Sequence, residues 1–423
     1  MKNFKLLVLF CFSLFGLSSA CANDFHVLPD DCSTYNIDPL CDPKPKLKPK
    51  PLPPPVIPPR NNFIKDELLI LYPASEASKI KKITDKYNLK PENRVFLSSV
   101  NTGLLVANTN GQNPLNLSKA ISTKEKKIKA STNNTFKLAA TTYNKYNKAY
   151  SLFETGVSFA HRTTMGKGIT ICMVDTPVDI FHPSFSNSLI ETQDFIEYKS
   201  NDLDTMVHGT SVAGVLVSQN KLIGVAPKAK LFSISAFSMT KSRPRIMQGS
   251  SANIAKAIDS CIQHKVDVIN LSFTGGRDSL IESLIKKAIS KGIIVIAAGG
   301  NGGHWGSTIY PALIPGVLAT TAVDDKQKLF SMADKGRFID YAAPGVEILT
   351  TAPGGKYTLA TGTSLSSAHL SGIVALLLSK KRNQAINVAL TKTAVDLGKP
   401  GRDQEYGDGL VSASRALAIL KGK

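Results

Sequence analysis

The feature that most constrains this chain is a regular alternation of short apolar runs and longer amphipathic ones, from about Tyr150 to Lys423. GITICMVD, AKLFSISAF, DVINLSF and IIVIAAGG are strand-length and carry little charge, the pattern of strands buried on both faces. Between and after them, VHGTSVAGVLVS, SANIAKAIDSCIQHK, LIESLIKKAISKG and the apolar SSAHLSGIVALLLSK read as helices. Strands of this kind need helices on both sides. Residues 150–423 are therefore expected to form an α/β fold, a mostly parallel sheet in an α/β/α sandwich. In such sheets the active site sits at the carboxyl ends of strands.

The 423 residues exceed one ordinary domain. Within 61–124, DELLILYP reads as a strand, SEASKIKKITDKYN as a helix, and RVFLSS and TGLLVAN as strands flanking a turn at Asn101 to Gly103. NPLNLSKAIS then reads as a second helix. The β-α-β-β-α order predicts a small α+β unit, with no evident final strand. Residues 125–149, rich in Lys, Thr, Asn and Ser, show little periodicity and are expected to be an exposed linker. Residues 23–60 form a Cys-containing spacer whose tract PKPKLKPKPLPPPVIPP (43–59) should be extended and semi-rigid.

Residues 1–22 read as an export signal, with Lys2 and Lys5, an apolar stretch from Leu6 to Leu17, and small residues from Ser18 to Ala22. The stretch is too short to span a membrane. Two processing routes stay open: cleavage after Ala20-Cys21-Ala22, or a lipobox-like LSSAC that leaves a lipidated Cys21. The formal charge is +19, but from Tyr150 onward there are 29 basic and 21 acidic residues, so about +11 lies upstream. That distribution argues against a nucleic-acid partner and leaves contact of the Lys/Pro tract with an anionic envelope as the alternative. Cys32 and Cys41 could close a small loop after export, whereas Cys172 and Cys261 lie in apolar segments and are expected to be buried free thiols. No Cys spacing suggests a metal site.

Three polar groups each stand in a Gly-rich or small-residue context. Asp175 ends ITICMVD, His208 opens the helix of VHGTSVAG, and Ser364 lies in ATGTSLSSAHLSG. Acyl transfer needs a hydroxyl, a base to take its proton, and a carboxylate to orient that base. Gly209 and Gly362 allow close approach, and the helix start favours developing negative charge at Ser364. Asn301, after IIVIAAGG, can donate to the oxyanion of a tetrahedral intermediate, with the Ser364 N–H as second donor.

At these residues the chain resembles the subtilisin-like serine peptidases. The order Asp, His, Ser is theirs. VDTPVDIFHPSF, VHGTSVAGV, GVAPKAKL, VINLSF, AAGGNGG, YPA, AAPGVEILTTAPGGKY and GTSLSSAHLSG are similar to family signatures and occur in family order over roughly 270 residues. The small α+β unit resembles the inhibitor-like propeptides of that family. The resemblance implies a serine endopeptidase made as a self-inhibited zymogen. Asp175, His208 and Ser364 would be its triad and Asn301 its oxyanion donor. Peptide substrate would pair with backbone near Ser272 to Gly275 and near Ala297 to Gly299. A peptide or protein substrate and a monomer are expected; no cofactor is required.

The departures are Pro177 after Asp-Thr, Ala368 where Pro usually follows the nucleophile, and Ser211 for a frequent second His. None removes a reacting group. The stretch VSQNKLI is shorter than the loop that holds calcium in many relatives, so that site is expected to be missing. His182 and His369 should pack locally, and His161, His264 and His304 should be surface or structural. Trp305 reads either as lining a subsite or as packing. The competing function is an envelope-tethered binding or adhesive protein on an inactive fold of the same kind.

Overall fold

The alternating face pattern of one strand, Leu68 and Ile70 against Leu69, organises the N-terminal part of the computed structural model. The structure describes residues 63–138, 141–142, 150–198, 202–240, 246–303, 309–382 and 385–420. The export signal with Cys21, the Cys32–Cys41 loop, the Lys/Pro tract, His304 and Trp305 lie outside these residues. The strand β1 (Phe63–Pro73) is followed by α1 (Ile80–Lys86), β2 (Lys90–Leu97), β3 (Thr102–Asn108), α2 (Pro114–Lys124) and β4 (Lys129–Leu138). All pairings are antiparallel, in the order β2-β3-β1-β4. Asn101, at φ 49°, makes the turn into β3, and the Asn113 side chain caps α2 by accepting from Leu115 N and Asn116 N. Leu68, Ile70 and Leu105 bury one sheet face against Ile80, Ile83, Leu117 and Ile121 of the helices.

The rest of the chain begins with β5 (Thr141–Thr142), α3 (Tyr150–Glu154) and α4 (Val157–Ala160). The central elements are β6 (Thr170–Asp175), β7 (Leu189–Asp194), α5 (Leu203–Val217), β8 (Lys230–Ser235), β9 (Phe237–Met239), β10 (Met247–Ser250) and α6 (Ser251–Gln263). They continue through β11 (Val268–Leu271), β12 (Phe273–Gly275), α7 (Ser279–Ser290), β13 (Ile294–Ala298), β14 (Leu318–Val323) and β15 (Tyr341–Pro344). The hairpin β16 (Ile348–Ala352) and β17 (Lys356–Thr361) leads into α8 (Thr363–Leu378), α9 (Ala385–Thr393) and α10 (Ala413–Leu420). Seven parallel strands form one sheet, in the order β15-β14-β13-β11-β6-β8-β7. Helices α5 and α8 share the core on one side, and α6 and α7 share the other. This is the α/β sandwich expected from the apolar runs.

The second face of the small sheet rests on the second of these cores. Leu69, Leu97 and Leu104 pack with Ile254, Ile258 and Leu284 of α6 and α7. The Asp259 carboxylate on α6 accepts the Ser99 N–H at 2.9 Å.

Two expectations are corrected here. Residues 125–149 are not an exposed linker throughout, because Lys129–Leu138 is β4, the missing last strand of the small unit. Its polar residues are matched by distant partners, which hides the strand from any local pattern. Asn133 Nδ2 donates to Glu67 at 2.6 Å, Asn134 Nδ2 donates to Asp278 at 3.1 Å, and the Ala252 N–H donates to Asn133 Oδ1. Nor are Cys172 and Cys261 free thiols; they form a disulfide. Both are fully buried, as expected. However, packing of β6 against α6 brings their Cα atoms to 5.9 Å across a separation of 89 residues.

Candidate active site

The parallel sheet delivers Asp175 at the carboxyl end of β6, fully buried. Its Oδ1 accepts the His208 Nδ1–H at 2.7 Å and the Thr176 N–H at 2.7 Å. His208 is placed by α5, which lies so close to the Asp175 loop that a Cβ on Gly209 would sit 2.3 Å from the Thr176 carbonyl oxygen. Only glycine fits there. With Nδ1–H held by the carboxylate, Nε2 carries the lone pair, and this nitrogen is buried with no hydrogen-bond partner.

Ser364 is the second residue of α8, after Gly362 at φ 152°, and α8 packs on α5. Its hydroxyl donates to the Ser272 carbonyl at 2.9 Å rather than to His208. Asn301 lies beside it. The Asn301 Oδ1 accepts both the N–H and the hydroxyl of Thr363, at 3.1 and 2.9 Å, which reserves the amide NH₂ for another acceptor. Thus Asp175 and His208 touch, Ser364 and Ser272 touch, and Asn301 is held by the residue preceding Ser364. Thr363 was not singled out from the sequence; its place directly before Ser364 is the one hint available.

The expected peptide-binding backbone divides. Gly275, with Phe273 and Thr274, does present a strand edge, and β4 already occupies it: Phe273 pairs with Leu138, Thr274 with Lys137 and Gly275 with Phe136. The opposite flank of β4 is β10, with Gln248 on Lys137, Gly249 on Phe136 and Ser250 on Thr135. The short polar run MQGS gave no sequence signal for that second edge. Ser272 lies just before β12, and its carbonyl is the acceptor of Ser364. Ala297 is corrected: β13 is interior, and Ala297 pairs with Leu271 on one side and Ala319 on the other, which leaves no free edge for a peptide. Gly299 donates its N–H to the Thr320 carbonyl. Just ahead of Ser364 in the chain, β17 pairs with β5, Thr361 with Thr141 and Ala360 with Thr142.

Two of the other histidines among the described residues are held by nearby groups. His182 Nε2 donates to the Lys356 carbonyl at 2.8 Å while Nδ1 accepts the Ser184 N–H, and burial lowers its pKa. His369 is enclosed in α8, where burial pushes its pKa down to about 4 and keeps it neutral. In the VSQNKLI stretch, the Gln219 amide donates to the carbonyls of Asn187 and Pro227, and the Asn220 amide to the Pro183 carbonyl and the Ser186 hydroxyl. These hydrogen bonds close the loop on itself. No group of three or more His, Cys, Asp or Glu able to hold a metal occurs among the described residues.

The profile of the subtilase family matches residues 166–409, more than half of the chain. The chain belongs to the subtilase family. It is 33% identical over 267 residues to a thermophilic serine proteinase of Bacillus sp. (strain AK1), covering 61% of this chain and 64% of that protein. It is 34% identical over 262 residues to subtilisin E of Bacillus subtilis (strain 168), covering 59% and 66%. The matched stretch therefore spans just under two thirds of these two relatives. Subtilisin of Bacillus pumilus is 34% identical over 262 residues, 91% of its length and 59% of this chain. The structure superposes with TM-score 0.73 and 23% identity on fervidolysin from Fervidobacterium pennivorans, a keratinolytic enzyme related to subtilisin. That match covers 85% of this subtilase and 62% of fervidolysin, and it speaks for the fold alone.

Proposed function

We propose that this subtilase is an exported serine endopeptidase, made as a zymogen whose N-terminal domain fills its own substrate cleft. One observation carries the reading. Strand β4 lies between β10 and β12, beside Ser272, whose carbonyl accepts from Ser364, and β5 lies on β17, three residues ahead of Ser364. Two residues join Leu138, paired beside Ser272, to Thr141, paired three residues ahead of Ser364, and this stretch is the proposed site of cleavage. The cleaved bond is Ala139–Ala140, at the centre of the stretch.

In this reading the Ser364 hydroxyl turns from the Ser272 carbonyl toward His208 Nε2. Its oxygen attacks the scissile carbonyl carbon while Nε2 takes its proton. Asp175 holds the imidazole and balances the imidazolium. The Asn301 amide and the Ser364 N–H receive the oxyanion; removing one such donor costs about 10²–10³ in turnover, a figure the subtilisin relatives themselves provide. Collapse breaks the C–N bond, and His208 protonates the leaving amine. Water then adds to the acyl-enzyme with His208 again as base, which releases the acid and frees Ser364.

Substrates are extended peptides of proteins that replace β4 and β5 in the cleft after cleavage. No metal is assigned a role in the chemistry. Export follows from the leader, and attachment to the envelope would use a lipidated Cys21 or the Lys/Pro tract. No helix among the described residues is long and apolar enough to cross a membrane. Purified full-length chain should label at Ser364 with a serine-reactive peptidyl phosphonate once processed, and Ser364→Ala should stay full length. A processed chain that never labels would favour the binding-protein alternative.

A further inference from the structure

Helix α8 is buried along its whole length, yet it carries serines at 364, 367 and 371. The spacing i, i+3, i+7 sets all three on one face. Hydroxyls placed in a core are unfavourable unless each finds a partner. Here each does, and the partners run as one directed chain toward Ser364.

The chain begins at Ser371, whose hydroxyl donates to Asn270 Oδ1 at 3.0 Å. Asn270 is the one polar side chain in the buried strand β11. With its oxygen engaged, the amide turns its NH₂ to the Ser272 hydroxyl, at 2.8 Å. That N–H occupies a lone pair of the Ser272 oxygen and directs the Ser272 proton outward. Two acceptors receive it: the Ser364 carbonyl at 3.2 Å and the Ser367 hydroxyl at 3.0 Å. The Ser367 hydroxyl itself donates to the Ser364 carbonyl at 2.8 Å. The Ser364 hydroxyl returns to the Ser272 carbonyl at 2.9 Å. Ser364 is thereby tied to residue 272 at both its backbone oxygen and its side chain. All five residues are buried, at 0% exposure.

We propose that Ser371, Asn270 and Ser367 are positioning residues for the Ser364 nucleophile, holding its backbone so that rotation about one side-chain bond carries the hydroxyl from the Ser272 carbonyl to His208 Nε2. None of the three touches the reacting atoms. The inference rests on the peptidase reading above. It differs from ordinary core packing in one respect: loss of the Ser371 hydroxyl frees the Asn270 amide to flip, which withdraws the donor that aims Ser272. Displacing a reacting group by about 1 Å costs up to about a hundredfold in rate.

The test uses the protein made as the full chain and purified after processing, with three readouts: the rate of Ser364 labelling by a peptidyl phosphonate, kcat and KM on a peptide, and Tm. Ser371→Ala should slow labelling and lower kcat between tenfold and about a hundredfold, with KM within twofold. Ser371→Thr, which retains the hydroxyl, should recover most of that loss. Labelling at the wild-type rate in Ser371→Ala overturns the proposal. So does an equal loss in both variants, or a rise in KM that accounts for the loss. Where Ser371→Ala does not accumulate folded, Ser367→Ala carries the same comparison, because it removes a donor from the Ser364 carbonyl directly. If the wild-type protein fails to label, the peptidase reading itself falls and this inference falls with it.

Discussion

Phe136 and Phe273 meet edge to face, with ring centroids 5.7 Å apart and ring planes at 79°. One belongs to β4, the strand proposed to fill the substrate cleft, the other to its neighbour β12. Phe237 extends the cluster, 5.1 Å from Phe273. A Cβ on Gly275 would lie 2.2 Å from the Phe136 ring, so the pocket exists only because residue 275 is glycine. Phe136 is 1% exposed.

Burial of a side chain of this size contributes roughly 1.5–3 kcal/mol. Phe136→Ala should therefore slow self-processing by roughly ten- to 150-fold, with Phe136→Leu between the two. Peptides with a bulky aromatic side chain four residues before the cut should be preferred by the mature form. Time courses on a gel measure the first, and peptide profiling the second. An unchanged processing rate in Phe136→Ala would mean that the pocket does not hold the strand in place.

Glu67 sets a pH dependence. Its carboxylate accepts from Asn133 and faces a polar cavity of about 310 Å³ between the small domain and the catalytic domain, lined also by Glu92, Gln248, Ser250 and Lys256. Burial raises the Glu67 pKa, opposed by the Asn133 hydrogen bond and aided by the nearby Glu92 charge. A carboxyl whose pKa is raised in the docked state favours that state when protonated. Its contribution is complete below the ordinary value of 4.5 and is lost as pH rises through the raised one. The cleaved N-terminal domain should accordingly bind more weakly at pH 7 than at pH 5, and Glu67→Gln should flatten that difference. Inhibition constants measured across this range decide it; identical pH profiles for both proteins contradict it.

The disulfide joins β6, three residues before Asp175, to the helix on which the small domain rests. In the chain-entropy view, closing a loop of this length stabilises by about 4–5 kcal/mol. Alkylation of the denatured, unreduced protein should leave Cys172 and Cys261 unmodified, and Cys172→Ser with Cys261→Ser should lower Tm by several degrees. Complete alkylation of both without reductant would show that the bond does not form.

Because the amides of Gln219 and Asn220 already close their loop, Tm should be the same with and without excess chelator. A fall of more than a few degrees would reveal a cation that this loop, or another, requires.

The sequence made the catalytic half legible because its evidence is local. Runs such as ITICMVD carry their own pattern and end on Asp175, and His208 and Ser364 sit in short glycine-bearing motifs whose geometry is set by the next one or two residues. What stayed hidden depends on distant partners. Strand β4 reads as polar linker because Asn134 and Asp278 lie 144 residues apart. Cys172 and Cys261 look like free thiols because their meeting is a product of packing. Ala297 looked available because nothing in IIVIAAGG tells an interior strand from an edge. The second neighbour of β4 at this end, β10, is four residues long and has no apolar signature.

The proposed self-cleavage falls between Leu138 and Thr141. Mass spectrometry of the purified, processed protein tests it most directly, with Ser364→Ala beside it. A new N-terminus at Ala140 is expected in the wild-type protein, and an intact Leu138–Thr141 stretch in Ser364→Ala. A mature N-terminus outside residues 139–141, or the same cleavage in the isolated Ser364→Ala protein, would contradict it.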